Sequence, residues 1–148
     1  MKSFEHSSYV GDFFAVLAAR ETMPMPPDGS CQYVTGRTRK QEAVLILCRG
    51  DFGILQTPSL AASLDALLTG NVRFIVLDLS DACTFSANAA AVLVNFIAGV
   101  RGRHKECVIL CPSQPVRTIL NVLDLGHLFT IRESEEELLL DLPDQPLS

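Results

Sequence analysis

The 148-residue sequence predicts an α/β fold with a mixed sheet of about five strands, about four helices and an extra N-terminal helix. Phe74 to Leu79 is a nearly unbroken apolar run of strand length, interrupted by Asp78, as expected for a strand buried on both faces. Leu77 should therefore be wholly buried. Ala87 to Val100 carries apolar residues at the helical spacing of three and four. Because strand-like runs alternate with helical segments along the sequence, we expect strands joined by right-handed helical crossovers.

Composition and charge restrict the classes of function. With 48% hydrophobic and 20% charged residues, most of the protein should fold without a partner. The net charge is -5, and basic residues cluster at Arg37 to Lys40 and Arg101 to Lys105 alone, which argues against nucleic-acid partners. No run reaches the roughly 18 to 20 apolar residues of a membrane span. Five cysteines without a secretory signal before them predict reduced thiols and a cytoplasmic protein.

The first thirty residues are predicted to form an extension of the domain. Tyr9 to Arg20 has the spacing of an amphipathic helix, with apolar residues at Val10, Phe13, Phe14, Leu17 and Ala18. This helix either packs on the domain as an extra layer or forms a dimer or partner-binding element. Thr22 to Ser30 contains three prolines and predicts a linker. We therefore divide the sequence into residues 1–30, a domain at 31–141 and a tail at 142–148.

The domain is predicted to begin with two antiparallel strands, Gln32 to Thr38 and Ala43 to Cys48, joined by a polar hairpin connection. Thr57 followed by proline predicts the N-cap of the first crossover helix, which ends at Gly70. The elements after the central helix are a strand at Cys107 to Cys111, a helix capped by Ser113, a strand at Leu128 to Ile131 and a helix with a Ser134–Glu137 capping box.

The segment from Ser80 to Ser86 connects the central strand to the central helix and is short and polar, so it is predicted to be a loop. Ser86 can accept hydrogen bonds from the backbone N–H groups that open the helix. A helix N-terminus presents unpaired N–H groups and positive potential, which makes this position a candidate recognition surface.

The stretch from Arg73 to Val100 resembles the STAS family, the sulphate-transporter and anti-sigma-factor-antagonist domains. The core of that family has a strand that ends D-L-S, a short loop, the motif D-S-S-G and a helix. Here the D-L-S motif stands at residues 78–80, whereas the four positions of D-S-S-G fall on Ser86 to Ala89 and all four differ. The resemblance extends to about Glu137 and, more weakly, back to about Gln32. It implies a STAS-like mixed sheet.

The resemblance also implies where partners bind and how binding is switched. In the STAS antagonists a partner kinase phosphorylates the second residue of D-S-S-G, which here is Ala87 and has no hydroxyl group. Thr84 and Ser86 carry hydroxyl groups nearby, and Ser86 is the alternative phosphate acceptor. The partner-binding residues implied by the family are Thr84, Phe85, Ser86, Ala87, Asn88 and Ala89.

The sequence lacks the patterns that usually accompany catalysis. His6, His104 and His127 are widely spaced, and no nucleophile motif, P-loop or dinucleotide fingerprint is present. Cys107 and Cys111 lie on one face of a predicted strand but about 13 Å apart, which is too far to share a zinc ion. We predict no enzymatic activity, no cofactor and no metal site.

By resemblance, the protein is expected to be a non-enzymatic protein-interaction module of bacterial regulatory signalling, similar to an anti-sigma-factor antagonist but without the usual serine phospho-switch. It would act in partner switching and transcription regulation, with an anti-sigma factor, a switch-kinase-like protein or a signalling assembly as partner. A homodimer through the N-terminal helix is a further option. Two alternatives stay open: a cytoplasmic STAS accessory subunit of a membrane transporter, and a small-ligand-sensing domain.

Overall fold

A sheet of six strands organises the domain in the computed structural model, which describes residues 30–37 and 42–139. The strands are β1 (Ser30–Arg37), β2 (Glu42–Phe52), β3 (Phe74–Asp78), β4 (Ala82–Phe85), β5 (Glu106–Leu110) and β6 (Ile131–Arg132). Five of them follow the order β1-β2-β3-β5-β6, and β4 pairs with β2 outside this path. The β1–β2 pairing is antiparallel and the other pairings are parallel, which confirms the predicted mixed sheet.

Four α-helices accompany the sheet in the described part of the protein, as predicted. They are α1 (Thr57–Leu68), α2 (Ala87–Gly102), α3 (Gln114–Val122) and α4 (Glu135–Leu139). Short 3-10 turns at Ile54–Gln56 and Gly126–Leu128 precede α1 and β6. Pro58 and Pro115 lie in the first turns of α1 and α3, where the missing N–H group of proline costs no helical hydrogen bond.

The sheet is buried on both faces. Alternate side chains of β2 point to opposite faces of the sheet. One set packs against α1, α2 and α3, and the other set packs in the cluster that contains Leu138 of α4. The first set is Val44, Ile46 and Cys48, and the second is Ala43, Leu45 and Leu47. Leu77 in β3 has no exposed surface, as predicted. The apolar run of β3 follows from its position between β2 and β5, with side chains covered on both sides.

The segment predicted as a loop between β3 and α2 contains a strand. Ala82 pairs with Gly50 and Phe85 pairs with Phe52, so β4 extends alongside the C-terminal end of β2. The two terminal residues of β4 are buried and the two between them are exposed. This pattern spans four residues, which is too short to distinguish a strand from a polar loop by periodicity.

The first and third helices begin differently from the prediction. Thr57 is the first residue of α1 and not its N-cap, because the preceding 3-10 turn continues directly into the helix and the Thr57 hydroxyl donates to the Gly53 carbonyl at 3.2 Å. Ser113 occupies the N-cap position of α3 but makes no capping hydrogen bond. Its hydroxyl donates instead to the carbonyl of Ala82 at 2.7 Å, so a tertiary contact replaces the local one.

The capping box predicted before α4 is formed in part. Ser134 Oγ accepts from the backbone N–H of Glu137 at 3.2 Å, as in a capping box. The carboxylate of Glu137, however, accepts from the N–H of Glu133 at 2.9 Å, one residue earlier than the motif requires.

The boundaries of several strands differ from the prediction, and β2, predicted to end at Cys48, continues to Phe52. The last strand was placed at Leu128 to Ile131 but covers Ile131–Arg132, because the backbone first makes the 3-10 turn Gly126–Leu128. The strand predicted to reach Cys111 ends at Leu110, since Cys111 adopts a left-handed conformation with φ 50°. β1 begins at Ser30, two residues before its predicted start.

The predicted N-terminal helix, its linker and the C-terminal tail lie outside the described residues, so the division at residues 30 and 141 stays a prediction. Within residues 30–37 and 42–139, no helix is both long enough and apolar enough to cross a membrane.

Candidate functional site

The N-terminus of α2 is positioned by β4. After β3 the backbone turns, runs parallel to the end of β2 and enters α2 at Ala87. The N–H of Gly50 donates to the carbonyl of Asp81 at 3.0 Å, and the N–H of Ser86 donates to the carbonyl of Phe52 at 2.9 Å. Gly50 has φ 94°, a left-handed conformation that favours glycine, and the register between the two strands shifts beside it. Hydrogen bonds to β2 thus hold both ends of β4, and this fixes the position at which α2 starts.

Two of the six residues predicted to bind a partner have buried side chains. Phe85 is 7% exposed, and its ring packs against that of Phe52 with the ring centroids 5.9 Å apart. Ala89 has no exposed surface. These two side chains pack in the core and anchor β4 and the start of α2, and they support the exposed residues of these elements from below.

Three of the predicted residues present exposed side chains. Thr84 lies on β4 and donates its hydroxyl hydrogen to the carboxylate of Asp51 at 3.2 Å. Ala87 and Asn88 are the first two residues of α2. A methyl group, an amide and a hydroxyl–carboxylate pair therefore face solvent around the start of this helix.

Sequence analysis missed an exposed apolar pair beside this helix. Ile54 and Leu55 are 67% and 87% exposed, and the 3-10 turn that contains them contacts α2. They directly follow the end of β2 and precede α1, so they belong to no strand or helix periodicity that could have revealed them. Asp51, Leu55, Thr84, Ala87 and Asn88 form one exposed patch, which we name the docking surface after the partner binding that was predicted here.

The sequence model of the STAS domain matches residues 36–138. The chain belongs to the STAS family. The predicted family membership is thereby confirmed. No curated protein matches the chain in sequence.

Solved structures of anti-sigma-factor antagonists share the fold of this STAS domain. One from Mycobacterium paratuberculosis has a TM-score of 0.66 at 15% identity, covering 82% of this chain and 100% of that one. A putative antagonist from Thermotoga maritima has a TM-score of 0.65 at 16% identity, covering 76% and 95%. The Bacillus cell fate determinant SpoIIAA in its phosphorylated form has a TM-score of 0.55 at 16% identity, covering 74% and 96%.

The D-L-S sequence of this STAS domain has a clear structural role. Asp78 is 3% exposed, and its carboxylate accepts hydrogen bonds from the N–H of Ser80 at 3.0 Å and from the Ser80 hydroxyl at 2.6 Å. Leu79 between them is fully buried. The carboxylate closes a local turn and the leucine anchors it, which fixes the direction in which the backbone leaves β3.

An ion pair that the sequence did not reveal supports the same turn. The Nε atom of Arg49 lies 3.2 Å from Oδ2 of Asp81, and the Arg49 side chain is 4% exposed. Arg49 belongs to β2 and Asp81 precedes β4, so the pair joins segments that are distant in sequence. Only the fold brings these two charges together.

The predicted N-cap of α2 is confirmed. Ser86 has an extended backbone conformation, and its hydroxyl oxygen accepts from the N–H of Ala89 at 3.1 Å. The residue that the family resemblance left as an alternative phosphate acceptor therefore uses its hydroxyl group to stabilise the helix. Its role in phosphorylation stays a prediction.

Replacing Ser86 with alanine should lower the free energy of unfolding by about 1 kcal/mol, because the N–H of Ala89 loses its acceptor. Ser86→Asp should restore most of this loss, since aspartate is an equally good N-cap and its charge favours the helix N-terminus. Urea denaturation followed by circular dichroism measures both changes. An equal loss in the two variants would show that the hydroxyl does not act as a cap.

The described residues contain no obvious metal centre. Within residues 30–37 and 42–139, no group of three or more His, Cys, Asp or Glu side chains is placed to hold a metal ion. Burial raises the pKa of the Cys107 thiol, and a hydrogen bond with Cys31, together with burial, raises the pKa of Cys48. These thiols are held in their protonated form, which disfavours them as nucleophiles.

Proposed function

We propose that this STAS domain is a non-enzymatic interaction module of bacterial regulatory signalling in the cytoplasm. It binds an anti-sigma factor or a switch-kinase-like protein through the docking surface. The observation that carries the proposal is the exposed methyl group of Ala87 at the first position of α2, on a helix start that β4 fixes in place.

The chemistry of the docking surface suits a protein partner. The N–H groups in the first turn of a helix lack intrahelical acceptors, and the Ser86 hydroxyl already serves that of Ala89. The N–H groups of Ala87 and Asn88 can donate hydrogen bonds to a carbonyl or carboxylate oxygen of the partner. Leu55 supplies exposed apolar area beside them. A partner with an apolar side chain next to backbone or side-chain oxygen atoms would complement both features.

The absence of a hydroxyl group at residue 87 supports binding that does not depend on phosphorylation at this position. SpoIIAA, one of the structural relatives, is known in unphosphorylated and phosphorylated forms. Ala87 cannot accept a phosphate group, and the hydroxyl of Ser86 is half-buried and engaged in the helix cap. Phosphorylation at residue 87 would thus not switch the surface off, and regulation would come from the abundance or state of the partner.

Ala87→Asp is expected to weaken partner binding by about tenfold or more. An interface that closes over a methyl group offers no counter-charge to a carboxylate, so binding would have to desolvate that carboxylate. The test captures the partner from native cells with the full-length protein, purifies it and titrates it against wild type, Ala87→Asp and Ala87→Ser. The serine variant should bind nearly as wild type, because its hydroxyl adds little volume and no charge.

Ala98→Asp is the matched control for this titration. Ala98 is an exposed alanine about 16 Å further along α2, so the same charge is added to the same helix away from the docking surface. Its affinity should equal that of wild type, and circular dichroism should show that every variant is folded. If Ala87→Asp binds as tightly as wild type, the docking surface lies elsewhere, and the predicted N-terminal helix with Phe13 and Phe14 becomes the better candidate.

A further inference from the structure

A cavity lies at the other end of α2 from the docking surface. Its volume is about 360 Å³, and the last turns of α2 together with β5 and β6 form its walls. The lining residues of α2 lie 10 to 14 positions after Ala87, so the two sites are separated by roughly 15 to 21 Å along the helix axis. The apolar part of the lining comes mainly from Phe74, Ile97, Val100, Val108 and Leu128. The volume lies within the range of small-molecule sites.

A buried lysine forms part of the lining. Lys105 is 7% exposed, and its ammonium group donates to the carbonyls of Gly70 at 2.8 Å and Val72 at 2.6 Å. An ammonium group has three donors, so these two bonds fix its position and leave one. Burial lowers the pKa of Lys105, and the nearby charges of Arg73 and Arg103 lower it further. Lys105 thus places a cationic side chain in the wall of the cavity.

An arginine is held beside the cavity by the backbone. Arg101 lines the cavity, and its Nη2 atom donates to the carbonyl of Leu128 at 2.7 Å. A guanidinium group has five N–H donors, so others are left for a ligand. Arg132 adds a third cationic side chain, and Glu106 is the one carboxylate among the described lining residues. The described lining thus contains more cationic than anionic side chains, although the whole protein carries a net charge of -5.

We propose that this cavity binds a small organic anion, with a carboxylate or phosphate-monoester head group on a short apolar body. The head group would lie against Lys105 and Arg101, where charge-assisted hydrogen bonds are available. The apolar body would lie against Ile97 and Val100 of α2 and against Leu128, which pack on the same side of the sheet. This site is separate from the docking surface, so the proposal does not depend on the partner proposed above.

The test titrates the full-length protein with four compounds while backbone amide shifts are followed by two-dimensional NMR. Octanoate and octyl phosphate carry both features of the proposed ligand, 1-octanol lacks the charge, and inorganic phosphate lacks the apolar body. We expect saturable shifts around the cavity with octanoate, octyl phosphate or both, and at least about tenfold weaker binding of the other two. The stronger of the two anions identifies the preferred head group.

Matched variants locate the site. Arg101→Gln should weaken binding of the preferred anion by about tenfold, because a charge-assisted hydrogen bond is lost. Arg103→Gln removes an equal charge from an exposed residue of the same segment that does not line the cavity, and should cause a much smaller loss. Thr130→Trp places a large ring on an exposed lining residue and should abolish binding.

Three results would overturn the proposal. The first is the absence of saturable binding by both octyl compounds that carry a negative charge. The second is binding of 1-octanol or inorganic phosphate as tight as that of the preferred anion. The third is a loss in Arg103→Gln that matches the loss in Arg101→Gln, because the charge effect would then be unspecific and not located in the cavity.

Discussion

Replacing Leu77 with alanine is expected to lower the free energy of unfolding by about 2 to 5 kcal/mol. Leu77 has no exposed surface and lies in β3, between β2 and β5, on the face that packs with the helices. The truncation removes apolar contacts and leaves a cavity that flanking strands, fixed by hydrogen bonds on both sides, cannot close. Equilibrium unfolding in urea measures the change.

Leu55→Ala is the matched control, because it makes the same truncation at a leucine that is 87% exposed. Its effect on the free energy of unfolding should stay within about 0.5 kcal/mol. A loss below about 1 kcal/mol for Leu77→Ala would contradict the central position of β3, since truncation of a fully buried leucine costs more than that.

Replacing Phe85 with alanine should be at least as destabilising, with an expected loss of about 3 to 5 kcal/mol. The ring of Phe85 is 7% exposed and packs with Phe52, and this contact joins β4 to the end of β2. Without the ring, β4 loses its main apolar anchor and the start of α2 loses its fixed position. Thermal and urea unfolding would both report the loss.

Thr84→Ala and Phe85→Leu separate the role of the ring from that of the exposed surface. Thr84 is the exposed neighbour on the same strand, so its truncation should cost about 0.5 kcal/mol or less. Phe85→Leu keeps most of the apolar volume and should retain partner binding if the ring acts from beneath the surface. Stable, folded Phe85→Leu protein that has lost its partner would instead assign the ring a direct contact.

The sequence predicted the elements in which burial and periodicity agree. β2 and β3 are apolar because both faces of the sheet are covered, and α2 carries its apolar residues at helical spacing. β4 escaped prediction because its pairing depends on Gly50 to Phe52, more than thirty positions earlier in the sequence. The 3-10 turn before β6 was not predicted either, because Leu128 to Ile131 form one largely apolar stretch. Leu128 ends the turn and Ile131 begins the strand.

For the candidate site, local chemistry was predictable and tertiary placement was not. The N-cap role of Ser86 follows from the residue type and its position before an apolar helix, and the hydrogen bond to Ala89 confirms it. The burial of Phe85 depends on where Phe52 lies, and no local pattern contains that information. Asp51 and Leu55 join the site through the end of β2, so only the pairing of β2 with β4 brings them near α2.

The position of β2 has a consequence for how the protein folds. This strand of 11 residues pairs with β1, β3 and β4, and two of these three neighbours come from later parts of the sequence. Contacts between distant segments form slowly, because the intervening loop must be closed before its contacts can stabilise it. Because β4 pairs with Gly50 to Phe52, we expect β4 and the start of α2 to become ordered only after the C-terminal half of β2 has formed. We therefore expect the docking surface to form late in folding, and a polypeptide that is only partly folded would lack the surface through which we propose that the partner binds.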